Sequence, residues 1–329
     1  MAIKKEAYLY LSAALRAREA KLLSGDRAGR MLDAPGFEEC AKLLTDCDYG
    51  DMSQMNAKEI DAELSQRRAG IFAEMDRMAP DRRIVDVFRM KYDYHNAKAV
   101  VKAMAVGADA GHILSACGRV TPEKLLAAYN DERWNELPPV MAAAVEEARD
   151  TLAHTSNPQL ADFVLDRAYF TELLAAAKTL ESGFLTGYAR LLIDSTNLRS
   201  FVRTARMGKD AEFLREALIP GGSVDTGRFL VTDREGLAAL FTHTELENAA
   251  VLGAEAAEGG ALTQFELACD NAVNAYISRA KLVSFGEEPL VAYLSAVESE
   301  MTAIRMILTG RLAGIEPGVI RERLRDMYA

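Results

Sequence analysis

The chain has 329 residues, 50% of them apolar, and a formal net charge of −10. That length exceeds one ordinary core and predicts two or three subdomains. The acidic balance excludes a general nucleic-acid binder, which needs a basic face, and sets the surface against anionic lipid headgroups.

Only 7% of residues are aromatic, which, with abundant alanine, leucine, glutamate and arginine, predicts an all-α fold. The first twenty-one residues carry charges throughout, and their apolar run is too short and too interrupted for a signal peptide. No apolar segment reaches the roughly 18 residues needed to span a bilayer, so direct lipid insertion is not expected. Helical periodicity then marks residues 37–45, 57–78, 82–106 and 122–129, followed by 159–180 and 183–207. It returns at 265–282, 289–312 and 317–327, with proline at or near the start of several of these segments. Polar breaks fall at 154–158 and at Gly259-Gly260. Residues 229–232 are the best strand candidate, and such fragments are too few to build a sheet.

Three long helical segments carry one ordered triplet: an acid, a base five residues later, and a glycine nine residues after that. The copies are Asp93, Lys98, Gly107; Asp194, Arg199, Gly208; and Glu300, Arg305, Gly314. Asn96 and Asn197 follow the acid by three residues in the first two copies, and Ala303 stands there in the third. With 49 acids, 39 lysines and arginines and 22 glycines, fewer than one such triplet is expected by chance in the chain. The three copies divide the chain into expected helical repeats at 1–120, 121–221 and 222–329. Each has a period near one hundred residues, far beyond that of a solenoid.

Each copy also carries a seam with steps of 4, 3, 4 and 3. It runs Met90, Tyr94, Ala97, Val101, Met104; Leu191, Ser195, Leu198, Val202, Ala205; and Val297, Met301, Ile304, Leu308, Arg311. The repeat glycine falls where a helix C-cap is expected. After it, Gly118-Arg119-Val120-Thr121-Pro122 parallels Gly222-Ser223-Val224-Asp225-Thr226, each a turn leading into a short helix. At about 100° per residue the acid lies roughly 60° to one side of the seam and the base roughly 80° to the other. The two cannot pair within one helix. Either they tie the helix to different neighbours or they are solvated charges worth little.

No chemical motif competes with this framework. GxxxxGK[ST], GxGxxG, HExxH and GxSxG are all absent. His95, His112, His154 and His243 are scattered without ligand spacing, so no metal or cofactor is expected. Cys40, Cys47, Cys117 and Cys269 lack zinc or redox spacing and read as reduced core thiols of a cytoplasmic protein. A structural or interaction role is favoured over catalysis, with a helical scaffold and an enzyme with dispersed carboxylates as the other readings.

Several segments resemble one family. These are Lys91-Tyr92-Asp93-Tyr94-His95-Asn96-Ala97-Lys98, Ile193-Asp194-Ser195-Thr196-Asn197-Leu198-Arg199, and Glu300-Met301-Thr302-Ala303-Ile304-Arg305. Pro35-Gly36-Phe37-Glu38-Glu39 and Asp166-Arg167-Ala168-Tyr169-Phe170 join them. In order and spacing they are similar to the C subunit of the V-type (A-type) ATP synthase, the family of the eukaryotic V-ATPase d subunit. The resemblance implies a pseudo-threefold funnel of three helical domains, without catalysis or cofactor of its own. It implies a seat for the central shaft of the D and F subunits and a face resting on the membrane proteolipid ring. It also implies a peripheral place on the cytoplasmic side of the membrane. The isolated chain is expected to be a monomer. Ala303 departs from the asparagine often found at its position, so one shared role for that side chain in all three copies is not implied.

Overall fold

The computed structural model describes residues 3–329, and every regular element among them is helical. In chain order the α-helices are α1 (Leu9–Glu19), α2 (Gly25–Asp33), α3 (Phe37–Lys42), α4 (Ala57–Met78), α5 (Arg83–Ala105) and α6 (Pro122–Asn130). Next come α7 (Pro139–Thr155), α8 (Pro158–Thr179), α9 (Gly183–Arg206), α10 (Ala211–Ala217) and α11 (Thr226–Val231). The rest are α12 (Leu237–Leu240), α13 (Glu247–Ala257), α14 (Leu262–Ser278), α15 (Glu287–Leu312) and α16 (Pro317–Arg321). The contacts gather the chain into two compact units. One runs from Val85 to Gly260, and the other joins residues up to Ile84 with Ala261–Ala329.

Local chemistry explains the long helices. Asn56 closes a capping box at the start of α4, taking the Lys58 and Glu59 N–H groups while Glu59 reaches back to the Asn56 N–H. Pro158 opens α8 behind the Asn157 cap, and Ser182 caps α9. The break at 154–158 is two residues wide, with Ser156 left-handed (φ 52°) between α7 and α8. Two expectations change. Residues 229–232 are not a strand, because α11 covers Thr226–Val231 behind the Asp225 cap. The helix expected over 317–327 stops at Arg321.

In the unit from Val85 to Gly260, Tyr94, Ala97 and Val101 of α5 share a core with Leu125 of α6, Met141 and Val145 of α7 and Leu165 of α8. α8 packs on α7 and α9, and α13 packs on α9. In the other unit α15 is the axis, packed against α1, α2, α3, α4, α14 and α16. Every residue of α15 from Pro289 to Val297 is buried, so this helix is apolar all round at that level rather than along one stripe. The seam positions are buried in all three long helices except the last of each, Met104, Ala205 and Arg311, which are half-buried.

Candidate functional site

The three repeat acids lie in the interior. Asp93 is 0% exposed, and Asp194 and Glu300 are each 4% exposed. A buried carboxylate is costly unless donors surround it, and each finds them at the same place in its copy. Asp93 Oδ1 accepts the backbone N–H of Arg119 (2.8 Å) and of Val120 (3.0 Å). Asp194 accepts the backbone N–H of Ser223 (2.8 Å) and of Val224 (3.2 Å). The acid on the long helix therefore clamps the turn that precedes the next short helix. That helix is capped one residue later by Thr121 and by Asp225.

The third copy repeats the clamp with a segment from the other end of the chain. Glu300 Oε1 accepts the backbone N–H of Leu23 at 2.7 Å, and Ser24 caps α2 immediately after it. Leu23, Val120 and Val224 are all buried residues directly before a cap. Four residues beyond the caps, Ala28, Leu125 and Phe229 are all buried. In the third copy the segment that the acid clamps is therefore Leu23 and the start of α2, which lies far before the long helix in sequence and not just after it. This bond is one of several that tie the N-terminal to the C-terminal segment of that unit, with Lys5–Glu288, Arg305–Asp61 and Arg321–Asp33. Glu300 Oε2 also accepts the Tyr49 hydroxyl at 2.9 Å.

Glycine makes the clamp possible in the first two copies. A Cβ on Gly118 would stand 2.4 Å from Asp93 Oδ1, and one on Gly222 would stand 2.0 Å from Asp194 Oδ1. Only a residue without a side chain lets the turn come this close.

The asparagines work as a second clamp. Asn96 takes the Ser115 N–H on Oδ1 and gives its Nδ2 to the Ser115 carbonyl, both at 2.8 Å. Asn197 does the same to Ile219, again at 2.8 Å on both sides. Each amide completes an irregular strand of backbone as a neighbouring strand would. Ser115 and Ile219 stand five residues before Val120 and Val224. The same count back from Leu23 arrives at Arg18, inside α1. The Arg18 N–H is bonded inside α1 and its carbonyl, in the last turn, accepts the Lys21 N–H at 2.9 Å, so Ala303 has no orphaned backbone to serve.

Burial holds the pKa of Asp93, Asp194 and Glu300 above the ordinary carboxylate values, although the N–H donors pull the other way. Arg119 completes the first clamp with its Nε on Asp93 Oδ2 (2.6 Å) and its Nη1 on Glu172 Oε1 (2.7 Å). Burial works against the Arg119 charge, but the bonds to Glu172 and Asp93 outweigh it and raise its pKa. Tyr94 closes the cluster by donating its hydroxyl to Glu172 at 2.8 Å.

The bases stand nearer the surface. Lys98 Nζ pairs with Asp166 of α8 at 2.6 Å. Arg305 grips Asp61 of α4 through Nε (2.6 Å) and Nη2 (3.0 Å), with both partners largely exposed. Arg199 donates to Ser195 Oγ one turn earlier at 2.8 Å. Gly107, Gly208 and Gly314 are all left-handed, with φ of 67°, 63° and 71°. The residue after each returns its N–H to a carbonyl inside the helix: Ala103, Thr204 and Gly310. All three long helices therefore end in the same Schellman turn.

Sequence reasoning missed Leu23, Tyr49, Arg119 and Glu172 as parts of these clusters. Arg119 lies in the turn already matched between copies, so its place beside Asp93 had a signal. Leu23 had none in a forward reading from Glu300, because the chain ends first. Among the described residues, no three histidines, cysteines or carboxylates gather as a metal would need, and all four cysteines are buried and outside any disulfide. No helix among them is long and apolar enough to cross a membrane.

Carboxylates sealed against backbone, asparagines standing in for strand neighbours and matched helix ends define a helical framework protein. The family model for the ATP synthase (C/AC39) subunit matches residues 11–323, and the chain belongs to that family. It is 26% identical to the C subunit of the V-type sodium ATPase of Enterococcus hirae, over 98% of this chain and 99% of that one. It is 28% identical to the C subunit of the A-type ATP synthase of Thermococcus kodakarensis, over 96% of this chain and 89% of that one. The corresponding A-type ATP synthase C subunit of Methanocaldococcus jannaschii is 24% identical, over 98% and 88%. The family is a non-catalytic component of V- and A-type rotary ATPases, in which catalysis lies in other subunits.

Proposed function

We propose that the chain is a central-stalk component of a V/A-type rotary ATPase. In this reading it links the shaft of the D and F subunits to the membrane proteolipid ring, on the cytoplasmic side. The observation that carries it is the extent of the family match, which runs over residues 11–323 and takes in all three clamped helices and the turn at Leu23. Physical economy supports it. A part that passes torque between a shaft and a ring must resist twisting, and dense helical packing supplies stiffness. Each clamp adds to this by fixing a turn to the middle of a long helix, so that neither slides along the other. The three repeats, 1–120, 121–221 and 222–329, are proposed as one plan used three times, the last completed by the N-terminal segment.

The net charge of −10 gives the chain an attraction for a basic shaft end, which speeds assembly and weakens with salt. The test is binding of the full-length chain to a purified D–F complex, measured by calorimetry at low and high salt. One-to-one binding that also tethers D–F to proteolipid-ring membranes is the expected result. Absence of D–F binding at every salt concentration overturns the reading.

A further inference from the structure

The first and second copies differ where the long helix ends beside the short one. In the first, the chain fills this place itself. Tyr129, eight residues beyond the Thr121 cap, packs edge to face on Trp134 with ring centroids 5.9 Å apart. Both pack against the core that holds Val101 and Leu125. In the second copy the residue eight beyond the Asp225 cap is Asp233. Here α11 spans six residues against nine in α6, and Asp233 turns its carboxylate to the Gly236 N–H. Asp233 therefore lays no ring over the core as Tyr129 does. A cleft of about 620 Å³ stands open there, floored by Phe201, Leu214 and Phe229.

The rim of this cleft is acidic. Asp210, Asp233, Glu235 and Glu258 face Lys209 and Arg234. Lys209 lies over the Phe213 ring and Arg234 donates to the Ala205 carbonyl, and both keep their charge, so four acids stand against two bases on the rim. The side chains of Glu235 and Glu258 are exposed and make no hydrogen bond or ion pair among the described residues. Beside the cleft the apolar side chains of Met207 (49% exposed) and Val231 (87% exposed) extend its greasy surface outward. An apolar floor, apolar flanks and a rim with an excess of acids over bases are the complement of an amphipathic helix with basic flanks.

We propose that the cleft between the end of α9 and α11 docks a basic amphipathic helix of another polypeptide, whose aromatic or leucine side chains occupy the place that Tyr129 and Trp134 fill in the first copy.

The probe is a labelled synthetic peptide of about 18 residues, five helical turns, with leucine and tryptophan on one face and lysine on the other. Its binding to the full-length chain is read by fluorescence anisotropy. Two comparators share its length: one with the same residues scrambled out of helical period, the other with glutamate in place of lysine. The basic amphipathic peptide should bind and both comparators should fail. Reversing both free rim charges, Glu235→Lys with Glu258→Lys, should weaken binding about tenfold, each exposed pair contributing modestly. These residues are exposed and unpartnered, so the fold survives their change. Asp233→Tyr, which installs the first copy's aromatic, should close the cleft and abolish binding. Failure of the basic peptide to bind, equal binding of the scrambled or acidic peptide, or an unchanged affinity in the charge-reversed variant overturns the proposal.

Discussion

Gly222 and Asp194 stand so close that a Cβ on the glycine would fall 2.0 Å from the carboxylate oxygen. The pair is the tightest point of the second clamp, because the turn must bring its Ser223 and Val224 N–H groups onto the acid. Gly222→Ala is expected to destabilise the chain by about 1–3 kcal/mol, the usual range for forced overpacking. Gly118→Ala should behave alike, since its Cβ would meet Asp93 at 2.4 Å. Gly70, exposed in the interior of α4 with nothing within 4 Å of a Cβ, is the control. Its change to alanine should stabilise by about 0.5–1 kcal/mol. Urea unfolding of the three variants checks the ordering.

Neutralising the acids should separate the copies. Glu300→Gln keeps an oxygen for the Leu23 N–H and turns its amide toward the Tyr49 oxygen, which then accepts instead of donating. Asp194→Asn sets an NH₂ against a backbone N–H, because each carboxylate oxygen takes one donor. The expected loss is about 1–3 kcal/mol for Asp194→Asn, with little loss for Glu300→Gln. Thermal unfolding of both variants at neutral pH decides it.

The pH dependence of Glu300→Gln follows from the sign of its shift. Burial raises the Glu300 pKa in the folded chain. A raised folded pKa contributes stability that is full below the unfolded value and lost as pH rises through the folded value. The glutamine variant carries no such loss. Its melting temperature relative to the parent should therefore rise between a pH below the ordinary carboxylate pKa and neutrality. A difference that stays flat or falls over that interval removes the assignment.

Asn197 is fully buried and satisfies both backbone groups of Ile219. Asn197→Ala strands a buried donor and acceptor and should cost about 2–4 kcal/mol, taking each group at its desolvation penalty. Ala303→Asn should bring no compensating gain, since the corresponding backbone lies within α1 and is already bonded. Chemical denaturation of the two variants tests whether the asparagine follows the irregular backbone or the repeat as such.

The bases should matter little to stability. Lys98 and Asp166 are about a third exposed, and Arg305 and Asp61 more so. Lys98→Met and Arg305→Met are each expected to cost less than about 1 kcal/mol, with the loss shrinking in high salt. Melting curves at two ionic strengths measure both.

The sequence by itself determined the helical class, six of the long helices to within a few residues and the three glycine ends, while α7 (Pro139–Thr155) was not among the segments it marked. These depend on near-neighbour physics: apolar period, caps, and the left-handed turn that favours glycine. It also carried the matched turns at Gly118 and Gly222, whose place next to the acid has the same offset in two copies. Tertiary structure decided what the acids touch. A helical position shows which side a carboxylate leaves from, but not whether a helix, a turn or water receives it. It also decided that the third copy borrows Leu23 and the start of α2 from the far end of the chain. That bond joins residues 277 apart in sequence, and the order of residues along a chain holds no signal for which of its ends fold together. Burial of α15 against α1, α2, α3 and α4 brings them together, and the carboxylate buried with it is then satisfied by the two donors within reach, the Leu23 N–H and the Tyr49 hydroxyl.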